Sequence, residues 1–171
     1  MFIRIKNIKN KNGKVYPYAY LVDNKWYKRG TKSKSKGSRQ IVKAYLGRVY
    51  SFSKAKDVDF FEHFKIDDVN EYIKNDKEKI MKNLVEWEFF RHNIGKEEFF
   101  VDFSNKKVIK GKKEVSLKLN EGLLNSYTLG RLLKFRFRGE EREDGFRLAK
   151  AFVEAGLEVP KEVFVGMFSL R

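Results

Sequence analysis

The sequence predicts an α+β protein, from a change of periodicity along the chain and the turn residues that punctuate it. Residues 1–56 alternate β-branched and aromatic side chains with lysines around an Asn12-Gly13 turn, which is the pattern of antiparallel strands. Beyond residue 57, apolar residues recur at spacings of three and four, which is the pattern of amphipathic helices. A second β segment at 98–103, with turns at Ser104-Asn105 and Gly111, interrupts the helices.

Residues 2–9 read as a first strand. Asn12-Gly13 tolerates positive φ and turns the chain into a return strand over 14–22. On that strand Val15, Pro17, Ala19 and Leu21 face one way, and Tyr16, Tyr18, Tyr20 and Val22 the other. Pro17 cannot donate to a ladder, so it belongs on an open edge or at a bulge. Asp23-Asn24 reads as a turn before Lys25, Trp26, Tyr27 and Lys28. Residues 29–38 read as a polar basic loop and 39–52 as a strand kinked at Gly47. Asp57 is placed to cap a short helix bearing Phe60, Phe61 and Phe64. Asp68 and Glu71 have capping-box spacing for one long helix carrying Val69, Tyr72, Ile73, Ile80, Leu84, Trp87 and Ile94, stopped by Gly95. Helices over roughly 126–137 and 140–155, the latter ended by Gly156, precede a last helix opened by Pro160.

Charge divides the chain as periodicity does. Residues 1–56 hold 16 Lys+Arg against a single acid, Asp23, and so carry the whole net charge of +15. Residues 57–171 hold 22 basic and 22 acidic residues. The predicted organisation is therefore a basic β region over 1–56 and a neutral, mostly helical region over 57–171. The first region also carries six of the eight tyrosines and one of the two tryptophans. Cations meet phosphates and flat rings meet bases or sugars, so this composition points to nucleic acid, DNA or RNA. The charge has another outlet in an acidic protein partner, or in self-association through the segment 57–100, which has a net charge of −5.

The candidate contact residues follow from that reading. Tyr16, Tyr18 and Tyr20 form a row suited to stacking, the alternative being that their rings pack on the long acidic helix. Lys14, Lys25, Trp26, Lys28, Lys43 and Arg48 extend the surface. Arg29, Lys32, Lys34, Lys36 and Arg39 supply phosphate contacts from the basic loop and its end. Exposed tyrosines would favour single strands, and buried tyrosines beside exposed lysines would favour duplex. A further basic-aromatic set, Phe135-Arg136-Phe137-Arg138, reads as helical, with Arg131, Lys134 and Arg138 on one face.

Catalytic signals are sparse, and binding without catalysis is the expectation. With no cysteine and two histidines, thiolate and histidine-rich metal centres are excluded. There is no Gly-rich phosphate loop and no nucleophile elbow, so no cofactor is expected. Asp57, Asp59 and His63, with Asp102 on a strand end, are the residues a metal-dependent nuclease would need to bring together. Helix capping accounts for the first two equally well. No apolar run approaches the ~20 residues of a membrane helix. The alternating, charged start does not read as a signal peptide, which leads to the expectation of a cytoplasmic protein, with a highly charged composition of the thermophile kind.

Residues 1–48 resemble the basic β region that precedes the catalytic domain in some insertion-sequence transposases and related archaeal proteins. The likeness lies in Tyr16-Pro-Tyr-Ala-Tyr-Leu-Val22, a basic Gly-containing loop, and Arg39-Gln-Ile-Val-Lys-Ala-Tyr-Leu-Gly-Arg48. It covers under a third of the chain and implies DNA contact by the basic sheet. No RNase H-like domain follows, so cutting and strand transfer are not implied.

Overall fold

A computed structural model describes residues 1–28 and 37–169, and it is an α+β fold. Three long strands come first: β1 (Phe2–Lys9), β2 (Val15–Tyr27) and β3 (Gly37–Ser51). The Asn12-Gly13 turn closes β1 on β2, with Gly13 at φ 79° and the Asn10 N–H donating to Lys14 O at 2.8 Å. Asp23-Asn24 is no turn, because β2 runs through it and pairs with β3 as far as Tyr27. The β3 ladder stops at Tyr18, which leaves Pro17 beside an open edge of β2.

Three helices follow. In α1 (Phe60–Phe64) the cap is Asp59, not Asp57: its carboxylate accepts from the Phe61 and Glu62 N–H groups. The long helix expected from Asp68 is two helices, α2 (Val69–Tyr72) and α3 (Lys77–Arg91). Side chains compete with the helix at the break: Asn75 Nδ2 donates to Tyr72 O at 2.6 Å, and Asp76 caps α3 through the Lys79 N–H. Its stop is Asn93 at φ 51°, ahead of Gly95, with the Ile94 N–H donating to Phe89 O.

The strands β4 (Phe99–Asp102), β5 (Lys107–Lys110) and β6 (Lys113–Leu119) form a meander, and β7 (Gly122–Leu124), which the periodicity did not signal, returns along β6. Then come α4 (Ser126–Leu133), α5 (Glu141–Ala155) and α6 (Lys161–Ser169). The main sheet path is β1-β2-β3-β6-β5-β4, antiparallel except where β3 meets β6. The basic and neutral regions therefore share one sheet.

That parallel contact depends on Gly47. It lies at φ 91°, and a Cβ there would sit 2.3 Å from Glu114 O and 2.6 Å from Val115 Cα. Ser116 Oγ donates to Leu46 O at 2.7 Å, which satisfies a carbonyl at the same irregularity. The main core gathers α3, α5 and strands β4–β7 around Phe60, Leu84, Leu117, Leu148 and Phe152. A smaller cluster, Ala19, Leu21, Leu46 and Val49, lies under the N-terminal strands and is covered by Leu123 and Tyr127. Among the described residues, no helix is long and apolar enough to cross a membrane.

Candidate nucleic-acid interface

Paired residues on neighbouring strands share a face of the sheet, and the register of β1, β2 and β3 sorts their side chains sharply. Ile3, Ala19, Leu21 and Ala44 fall on the face that meets Leu123 and Tyr127. Two cross-strand rows occupy the other: Arg4–Tyr20–Tyr45 and Lys6–Tyr18–Arg48. Each row sets a cation and a ring beside one another on adjacent strands. A bulge in β3 between the partners of Tyr18 and Tyr20 brings Tyr45 and Arg48, three residues apart, to the same side, and a second bulge lies between the partners of Leu21 and Val22.

The rings meet each other and the cations. Tyr45 lies 5.4 Å from Tyr20 and 6.1 Å from Tyr18, between centroids. Lys6 Nζ stands 5.3 Å over Tyr20, and the Arg48 guanidinium lies 4.0 Å from Tyr16 and 5.0 Å from Tyr50. Arg4 donates to Gln40 Oε1, holding it along the sheet. Tyr16, Tyr18 and Tyr20 are half-buried, while Tyr45 is 55% exposed. The alternative packing of this row on the long helix is not what forms: the rings contact one another and basic side chains. Burial, reinforced by Tyr18, Tyr20 and Tyr50, pushes the Tyr45 hydroxyl up, so it stays neutral well above neutral pH.

At its β6 end this face runs into a cleft of about 480 Å³. Tyr18, Tyr45, Arg48 and Tyr50 form one wall, and Lys110, Lys113 and Glu114 the other. Lys110 lies 4.5 Å over Tyr50 and pairs with Glu98. The Arg48 Nε is buried without a hydrogen-bond partner, in a side chain whose guanidinium lies against the Tyr16 and Tyr50 rings.

The sequence candidates divide between places. Tyr16, Tyr18, Tyr20 and Arg48 lie together on the tyrosine face, with Trp26 farther along it and 59% exposed. Lys25 and Arg39 are paired on the opposite face, each over the Tyr27 ring at 5.6 and 5.3 Å. Lys14 closes the first hairpin, Lys28 follows β2, and Lys43 is exposed in the second bulge of β3. Arg29, Lys32, Lys34 and Lys36 lie outside the described residues. Arg4, Lys6, Tyr45, Tyr50, Lys110 and Lys113 were missed. For the first four the signal was present, since β1 alternates basic residues and both tyrosines lie in the tyrosine-rich third. Lys110 and Lys113 arrive only through the β3–β6 pairing.

The carboxylates considered for a metal each have local partners. Asp57 pairs with Lys54 at 2.7 Å, whose ammonium holds its carboxyl below the usual range. Asp59 caps α1, and His63 packs 4.4 Å from the Phe90 ring. Asp102 accepts from the Asn105 N–H and side-chain amide, which lower its pKa. Among the described residues no group of three or more carboxylates and histidines gathers.

Comparison with protein-family models, curated proteins and solved structures finds no match to this chain.

Proposed function

We propose that this chain binds nucleic acid across the tyrosine face of its N-terminal sheet, contacting the backbone with cations and stacking bases on tyrosine. The observation that carries this is the pair of cross-strand rows, Arg4–Tyr20–Tyr45 and Lys6–Tyr18–Arg48. A sheet that needed only solubility would gain nothing from half-buried rings under lysine and arginine. Exposed Tyr45 and Trp26 favour single strands, because a duplex offers few free base faces to stack on. DNA stands ahead of RNA through the transposase likeness, and an RNA- or ribosome-associated factor is the rival reading. The role is binding in a cytoplasmic setting, with no cofactor; Asp57, Asp59 and Asp102 serve an ion pair, a helix cap and a turn.

The test is binding of the full chain to matched single-stranded DNA, duplex DNA and structured RNA across a salt series. The expected result is a preference for single strands, with affinity falling steeply as salt rises. Weak binding without preference that vanishes near physiological salt would overturn the reading.

A further inference from the structure

Among the described residues, a concentration of unpaired charge outside the tyrosine face lies in a groove between α4 and α5. Residues 134–140 join these helices, and the expected continuation of α4 to residue 137 does not form. The chain leaves the helix at Lys134 and alternates instead, with Phe135 and Phe137 half-buried and Arg136 and Arg138 exposed. Its period is two, so both arginines emerge on the outer side.

Three anchors hold this connection in place. The Phe137 ring packs 5.3 Å from Phe135 and 5.0 Å from Phe168. Lys77 Nζ donates to Phe135 O at 3.0 Å and Leu133 O at 3.4 Å. The buried Asp144 carboxylate accepts from the Arg138 and Gly139 N–H groups at 2.7 and 3.1 Å. Their shared result is a groove of about 770 Å³ lined by cations and no carboxylate.

Two of its arginines are neutralised from the side, Arg131 by Glu154 and Arg147 by Asp144. Lys134, Arg136, Arg138 and Lys150 are exposed and make no ion pair among the described residues. Phe146, on the same groove, is 73% exposed and makes no ring contact among the described residues. Four like charges around a concavity repel one another until an anion enters, and an exposed phenylalanine among them offers a flat apolar surface.

We propose that this groove is a second binding site for single-stranded nucleic acid, with phosphates on Lys134, Arg136, Arg138 and Lys150 and a base on Phe146. It is independent of the tyrosine face: the two share no lining residue, and Tyr127 of α4 packs on the opposite, apolar face of the sheet. One chain can therefore hold two segments of strand, on different sides of the sheet.

The experiment titrates the full chain with a short fluorescein-labelled oligothymidylate, following anisotropy to saturation at several salt concentrations. A groove variant carries Lys134→Gln, Arg136→Gln, Arg138→Gln and Lys150→Gln; a face variant carries Tyr18→Ala and Tyr45→Ala. All four groove substitutions are at exposed side chains, and near-ultraviolet circular dichroism checks the fold. The expected result is two equivalents bound by the wild type and one by each variant. The groove variant should also lose about 3 units of salt slope, at about 0.7 per phosphate contact on single strands. Phe146→Ala should weaken the groove site about tenfold with an unchanged slope. One equivalent in the wild type, abolished in the groove variant and retained in the face variant, would keep this proposal and sink the tyrosine-face reading. A groove variant that matches the wild type in stoichiometry and slope would overturn it. So would a polyglutamate peptide that binds the groove as tightly as the oligonucleotide does, which would assign the groove to an acidic protein.

Discussion

Replacing Tyr45 by alanine isolates the aromatic part of the interface from its charges. The ring is 55% exposed and touches Tyr18 and Tyr20, so just under half of its surface is covered. A buried tyrosine removes about 150–250 Å² from water, and at about 25 cal/mol/Å² the covered part stabilises the fold by about 2 kcal/mol. That loss leaves a typical domain folded. If a base stacks on the ring, binding loses a further ~1–3 kcal/mol, a factor of about 5 to 150 in affinity for single strands. Salt dependence should not change, because no cation is removed. Tyr45→Phe keeps the stacking surface and should bind within about twofold of the wild type. Since burial holds the hydroxyl protonated, ionisation of Tyr45 should leave affinity flat between about pH 7 and 9. The assay is fluorescence anisotropy with single-stranded and duplex oligonucleotides, beside thermal unfolding. A Tyr45→Ala protein that melts lower but binds single strands normally would refute the stacking argument and return Tyr45 to a packing role.

Other consequences concern the scaffold that positions these surfaces. Gly47→Ala should cost about 3 kcal/mol or more, through positive φ and the clash with Glu114 O, and should open the β3–β6 seam. Gly111→Ala, at φ 59° with nothing within 4 Å, should cost only about 1–2 kcal/mol in the same denaturant titration. Burial pushes the Lys77 ammonium down from 10.5 to about 8, while the carbonyls it donates to pull the other way. Between those values the unfolded chain binds more protons, so stability should rise with pH across that window. Relative to Lys77→Met, the gain should be about 1–2 kcal/mol after discounting for partial exposure, and a flat difference between the two proteins would refute it. Arg91, buried with Glu88 at 3.2 Å and reaching Glu158 at 2.6 Å, is the permanently charged partner of a fully buried Glu88 side chain, which also meets His92 Nδ1 at 3.2 Å and accepts the Glu158 N–H at 2.8 Å. Arg91→Met should destabilise by about 3–5 kcal/mol, with part recovered on adding Glu88→Gln; full tolerance of the single change in urea unfolding would contradict the pairing.

Local signals carried much of this structure. The alternation that separates Tyr16, Tyr18 and Tyr20 from Ala19 and Leu21 is a property of any extended strand, and the register preserves it. The end of α5 at Gly156 and the start of α6 after Pro160 follow from backbone freedom and its restriction at single residues, and both appear where expected. Capping was legible in kind but not always in position: Asp59 took the role expected of Asp57, because only its carboxylate reaches the N–H groups of Phe61 and Glu62. The break at residues 73–76 was hidden because Ile73 and Ile80, seven apart, still fall on one helical face across a stretch with no apolar residue, while the decision rested on hydrogen bonds from Asn75 and Asp76.

Charge and aromatic content along the chain identified the basic third and the chemistry it favours, since composition needs no contacts to be read. Which of those residues act together is a matter of pairing between distant segments. A bulge in β3 between Tyr45 and Arg48 puts both on the face of Tyr18 and Tyr20, and the parallel β3–β6 contact brings Lys110 and Lys113 to the same cleft. The same is true of the α4–α5 groove. Phe135 to Arg138 alternate in sequence as a strand would, yet follow directly on a helix. Anchors from Lys77 and Phe168, distant along the chain, and from Asp144 at the start of α5 hold that segment in place with its arginines outward. Local periodicity reports what each segment prefers; long-range contacts choose among those preferences, and no local pattern encodes which contacts form.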